Sequence, residues 1–374
     1  MGIQLGPWLG PMPKEYTTFL RERGLAEADV YPLTIDRGIF LDQRYLQRFA
    51  EFLFAVAQAG AQEDVDRAQA LIEGMSPAAN ANFLVRSLDR LLRQHFARAG
   101  LAVPDGVLTT GVFPLDSFSG RAVPRQHGVL LLLDTGSLEF LEFCVSLDHM
   151  QNPSADQRAS RLADAVRAFC QTRQFPSSAS LDDIEWRRVK ISILHGVNWA
   201  EWFVLGHEYA HHALGHLRTA NREAHAANRH TFDVVKHTQV AEYEADLWSL
   251  CSLIRIADAG APPSPHAEAF AYVAPFYFLG VLALIERFRA AGGPASQHHP
   301  PAVTRIMNLE LFLKWWGYNR DGYIWGRLDE LFEKTSKALF GTGLEIPATD
   351  KRLQKDLAQI IVRTCAAMPR RGSG

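Results

Sequence analysis

The run Phe203-Val204-Leu205-Gly206-His207-Glu208-Tyr209-Ala210-His211 carries the pattern H-E-x-x-H in an apolar setting. Four residues of helix are about 400° of rotation, so His207 and His211 project from one face, one turn apart, and can share a tetrahedral zinc ion. Glu208 sits beside that face, where its carboxylate can take a proton from an activated water and return it to a leaving amine. In a chain of this composition the pattern arises by chance roughly 0.03 times, which favours a metal site over coincidence.

A catalytic zinc takes three protein ligands and keeps one position open. About 35 residues after His207, Val240-Ala241-Glu242-Tyr243-Glu244-Ala245-Asp246 opens a helical pattern with Glu242 and Asp246 one turn apart. Glu242 can then complete the ligand shell while Asp246 accepts the free ring N–H of a ligand histidine. Glu244, about 200° from Glu242, points elsewhere. The competing arrangement, a third histidine six residues past the second with a glycine between, fails on counting, because Leu214 and Leu217 hold those places. His212 is rotated about 100° from His211 and reads as packing or surface. His216 reads as a helix-end residue that favours the dipole and caps carbonyls. His195, His225, His230 and His237 are unassigned, with a solvated loop position the default for a lone histidine.

These residues need helices to hold them. The pattern predicts helices over 181–194 and 198–217, the first with an approximate capping box at Ser180 and Asp183, and then over 239–258, 267–290, 301–316, 324–338 and 350–366. The intervening 218–237 reads as polar and irregular, either a lid or an inert surface loop. Upstream, 41–59, 81–99 and 154–173 read as helices, while 107–113 and 128–133, rich in Val, Leu and Thr, read as strands on either side of a loop. Residues 1–40 are rich in turn formers and read as an arm with helix only around 13–24. The expected fold class is α+β, mostly α, with a small sheet. The Pro- and Ser-containing segment 174–180 suggests a boundary between an N-terminal α/β region, 1–175, and a helical core, 176–374. Trp199 and Trp202, three apart, share a helix face and read as core.

Composition narrows the partners. The chain has 374 residues, 47% hydrophobic and 21% charged, with a formal net charge of −2, so no overall field recruits nucleic acid or anionic lipid. Its four cysteines, Cys144, Cys170, Cys251 and Cys365, form no C-x-x-C pair and no disulfide framework. The first residues lack a basic segment followed by an apolar one, which leads to the expectation of a cytoplasmic protein with reduced thiols. The uncharged run 269–285 is marginal for a membrane span and reads as a core helix, so no membrane span is expected.

Taken together, His207-Glu208-x-x-His211 with Gly215-His216, the later Glu242-Tyr243-Glu244-Ala245-Asp246, and His299-Pro300-Pro301-Ala302-Val303-Thr304-Arg305-Ile306 resemble gluzincin peptidases. The likeness is to the family of the CAAX prenyl-protein protease, HtpX and the mitochondrial inner-membrane quality-control protease, and it covers roughly residues 194–312. It implies a zincin-like metallopeptidase with His207, His211 and Glu242 as ligands of one Zn2+, Glu208 as the catalytic base and Asp246 as an orienting group. It also implies that His299 and Arg305 lie near the site as transition-state or structural supports. The membrane members carry several apolar spans that this chain lacks, which points to a soluble relative acting on a protein or peptide substrate. Bacterial phage-exclusion and stress-response metallopeptidases share the grammar, and so the alternative of a protease with a single dedicated target stays open. A degenerate, regulatory zinc-binding scaffold is the reading from another class. Zincins lay substrate along a sheet edge, for which 107–113 and 128–133 are the candidates, with ordinary core strands as the other possibility.

Overall fold

Hydrophobic periodicity turns into packed helices around a short sheet in the computed structural model. It describes residues 14–25, 89, 92–93, 96–97, 108–113, 118, 120–125, 128–147, 150, 153–172, 186–216, 221–227, 230–259, 265–292, 300–318, 323–343 and 351–367. The elements in chain order are α1 (Lys14–Arg21), β1 (Leu108–Phe113), β2 (Gly120–Arg125), β3 (Gly128–Asp134), α2 (Thr135–Leu147), α3 (Ala155–Gln171) and α4 (Trp186–Ala213). There follow β4 (Asn221–Ala227), β5 (His230–Lys236), α5 (Gln239–Ala259), α6 (Pro265–Gly292), α7 (Ala302–Trp316), α8 (Tyr323–Phe340) and α9 (Lys351–Ala367). The fold is thus α+β and mostly helical. The predicted helix 41–59, the Ser180–Asp183 capping box and most of the arm lie outside the described residues.

The sheet has the order β1-β3-β2, with β1 parallel and β2 antiparallel to β3. β3 is therefore central, which removes 128–133 as a candidate substrate edge; its run Leu130 to Leu133 is buried, as a strand covered on both faces requires. β2 falls in what the sequence reads as a loop. Gly120 and Pro124 mask it, yet Pro124 is tolerated because β2 pairs only with β3 among the described residues, so its other side needs no N–H donor. Asp134, fully buried, accepts both Nε and Nη2 of Arg121, which clamps β2 onto the end of β3.

One long helix, α4, replaces the two predicted over 181–217, and it carries the H-E-x-x-H face. The helix α5 packs along it, and the approach is close at Gly206, where an added Cβ would come within 2.5 Å of Ser249 Oγ. That hydroxyl donates to Phe203 O at 2.7 Å, bonding the helices together. The apolar run of the sequence becomes α6, which packs against α3, α4, α5, α7 and α8. Its segment Phe270–Ala291 is long and apolar enough to cross a membrane by length and composition, and 72% of the apolar window is buried inside the fold. Phe278 of α6 stacks on Phe118 at 4.8 Å, joining helices and sheet region in one hydrophobic cluster that extends from Tyr16 to Ile361. Leu92 and Phe96, from the predicted helix 81–99, are buried in it, with Phe96 edge-on to both Tyr209 and Trp248. Trp199 and Trp202 are core residues in mutual contact.

The segment read as irregular is instead a β-hairpin, β4 paired antiparallel with β5 from Asn221↔Lys236 to Ala227↔His230. β5 runs close to β2. Ala and His dilute the β-branched content of β4, so its strand signal is weak, although Thr231, Phe232, Val234 and Val235 in β5 do carry one.

Candidate metal centre

Two helices bring the ligands together. His207 and His211 lie one turn apart on α4, buried, with their Nε2 atoms 3.0 Å from each other. Glu242 comes from the first turn of α5, where Thr238 Oγ1 caps the helix by accepting the Ala241 N–H and the helix N-terminus favours a carboxylate. Its Oε2 is 3.4 Å from His207 Nε2 and its Oε1 is 3.5 Å from His211 Nε2. The three ligand atoms lie within 4.8 Å of one another, in a buried group that could hold a metal ion.

The residues behind the trio decide which ring nitrogens are available. Asp246, one turn after Glu242, accepts the His207 Nδ1–H at 2.9 Å. With the proton held there, the Nε2 lone pair of a neutral ring is left facing the trio. Asp246 is held in turn by Arg305 of α7, Nε to Oδ2 at 2.7 Å and Nη2 to Oδ1 at 2.6 Å, a two-pronged ion pair buried completely on the carboxylate side. Arg305 Nη1 also lies 4.0 Å from Glu242 Oε2. The start of α7 is fixed by Glu286 of α6, whose Oε2 accepts the Ala302 N–H at 2.8 Å, and Asn308 donates to Tyr243 O, tying α7 to α5.

Charge follows this geometry. Burial works against a positive His207, but its bonds to Asp246 and Glu242 outweigh it and push the pKa up to about 9. Burial holds the pKa of His211 well below the usual histidine value, with the neighbouring His207 adding to the effect. Asp246 stays below the ordinary carboxylate range because Arg305 outweighs its burial. A dication between the three ligands would replace the His207 proton and offset the buried Glu242 charge, so the donor set fits a divalent metal.

The chain matches no protein-family model, no curated protein and no solved structure. The reading of the site therefore rests on its own residues.

Of the residues singled out from the sequence, the structure gathers His207, His211, Glu242, Asp246 and Arg305. Glu208 is also buried on α4, beside β2: a Cβ on Gly120 would lie 3.3 Å from both Glu208 Cγ and Oε1. His299 lies outside the described residues. One reading needs correction: His216 is not simply a helix-end residue, since its Nδ1 is 3.0 Å from His211 Nδ1. Glu244 does point away from the trio, and there it meets His216 Nε2 through Oε2 at 3.1 Å. Gly215, in the left-handed conformation at φ 76°, turns the chain after α4 and so brings His216 back over the ligand helix. The Gly-His pair after the last helical turn was the available signal. His237, unassigned from sequence, is buried with its ring parallel to that of His211, centroids 3.5 Å apart. Nothing in the local spacing announces that contact, because the hairpin delivers it.

Proposed function

We propose that this protein is a zinc-dependent metalloendopeptidase with a zincin-like catalytic core, hydrolysing peptide bonds of a protein substrate. The observation that carries the reading is the convergence of His207, His211 and Glu242 with Asp246 behind one ligand, and Glu208 follows His207 directly on α4. Two imidazoles and one carboxylate are the donor set of a catalytic zinc with an open fourth position. The resemblance in sequence to gluzincins of the CAAX protease and HtpX type agrees with that set. Bound zinc would polarise the scissile carbonyl and make water a stronger nucleophile.

Glu208 takes the proton of the attacking water and passes it to the leaving amine. Asp246 and Arg305 hold His207 so that its Nε2 stays directed at the ligand position. β2 is an edge strand in the described sheet with Gly120 against Glu208 and β5 of the hairpin close by, and an extended peptide laid along this part of the sheet would pass the base. The close fit at Gly120 lets substrate backbone and base approach one another.

The test is metal content and proteolysis of the wild type beside Glu208→Gln. About one zinc per chain in both, with cleavage of denatured protein substrates in the wild type and a loss on the order of 10³-fold or more in the variant, supports the reading. Full zinc with no cleavage of any substrate by the wild type would favour a metal-binding scaffold, and absence of zinc after reconstitution would end the proposal.

A further inference from the structure

We infer that His216, Glu244 and Arg363 form a second orienting chain, which fixes the ring of His211 for metal binding and makes the C-terminal helix α9 part of the metal site. The inference rests on the metal site proposed above.

Proton placement along the chain decides the tautomer of His211. Arg363 Nε of α9 donates to Glu244 Oε1 at 2.5 Å, and the other carboxylate oxygen, Oε2, faces His216 Nε2 at 3.1 Å. An ionised carboxylate only accepts, so Nε2 of His216 must carry the proton. In a neutral ring this leaves His216 Nδ1 as an acceptor. The atom facing it at 3.0 Å is His211 Nδ1, which must then donate. His211 is thereby held with its proton on Nδ1 and its Nε2 lone pair directed at His207 Nε2 and Glu242.

The arrangement parallels that behind the other ligand. His207 is backed by Asp246 and then Arg305 of α7, while His211 is backed by His216, Glu244 and then Arg363 of α9. Each ligand ring thus has a carboxylate held by an arginine behind it, and the second chain has one extra imidazole because His211 lies a turn further along α4. The side chains of His216 and Glu244 are only 11% and 14% exposed, so the middle of the chain is shielded from competing water, whereas Arg363 is 61% exposed at its outer end. His216, Glu244 and Arg363 are positioning residues, since none of them reaches the metal position.

The experiment measures zinc affinity of the full chain by competition with a chromophoric chelator and records the visible spectrum of the cobalt-substituted protein. His216→Phe keeps a ring but removes both nitrogens, and is expected to bind zinc about 10- to 100-fold more weakly with an altered cobalt band. His216→Asn places Oδ1 where Nδ1 was, an acceptor for the His211 proton, and is expected to recover affinity to within about threefold of wild type together with the wild-type band. A purely structural role would give no such rescue. Should His216→Phe fail to fold, Glu244→Ala is read in its place, with about tenfold weaker zinc expected. Wild-type affinity in both His216→Phe and Glu244→Ala, or an asparagine variant as weak as the phenylalanine one, would overturn the relay and leave the metal site standing. A wild type that takes up no zinc would overturn both.

Discussion

At the ligand histidines, burial and charge pull in opposite directions, and pH separates them. His207 has its pKa raised to about 9 in the folded protein, so the stability it contributes is fully present below the unfolded value of 6.5 and is lost as pH rises through about 9. His211, held well below 6.5 by burial, costs stability as pH falls beneath that value. The metal-free protein should therefore be most stable near pH 6.5, losing on the order of 3 kcal/mol by the alkaline end of the His207 titration. Zinc bound as proposed would take the place of the His207 proton, so the loaded protein should keep its stability up to pH 9. Melting curves against pH, with chelator and with zinc, check this, and a metal-free melting temperature that rises from pH 6.5 to 9 would contradict it. Asp246→Asn strikes the same network from behind. It removes the counter-charge of buried Arg305, at about 3–5 kcal/mol of stability, and leaves the His207 Nδ1–H facing a neutral amide, a weaker acceptor than the carboxylate, at about 10- to 100-fold in zinc affinity. Chemical denaturation and chelator competition separate the two losses.

Helix packing sets whether those residues meet at all. Because α5 approaches α4 so closely at Gly206, Gly206→Ala should drive Ser249 away and cost about 1–3 kcal/mol, with weaker zinc binding as Glu242 is displaced from the histidines. The obstructing atom is Ser249 Oγ, so Ser249→Ala in the same chain should return part of that stability. A double-mutant cycle measures the coupling, and strictly additive losses would show that the contact is not what separates the helices. Elements of strong period were legible before the structure: α3, α5, α6, α7, α8 and α9 begin and end within two residues of expectation. The grouping of the trio was legible for the same reason, since His207, His211, Glu242 and Asp246 owe their alignment to helical spacing. Where position depends on pairing between strands or on a turn, the reading failed. Gly120 and Pro124 concealed β2, the hairpin passed for a loop, and the roles of His216 and Glu244 depend on a left-handed turn at Gly215 and on where α9 docks, neither of which is encoded in a local period.

Across the molecule, the hydrophobic cluster running from α1 to α9 makes the site answerable to the whole core. Removal of zinc should lower the melting temperature of the entire chain, and free zinc at about 100 times its dissociation constant should add about 2.7 kcal/mol if the unfolded chain has no affinity for it. Calorimetry with and without a chelator gives the comparison. That condition leads back to how the ligands are spread along the chain. His207 and His211 need only one helical turn to meet, whereas Glu242 needs the closure of a long loop and the docking of α5. A fluctuating turn in the denatured ensemble already offers the ion a bidentate foothold. Zinc present during refolding should thus be captured early and handed to its third ligand late, and the measured stabilisation should fall short of the mass-action figure by the grip the two imidazoles keep before the chain has folded.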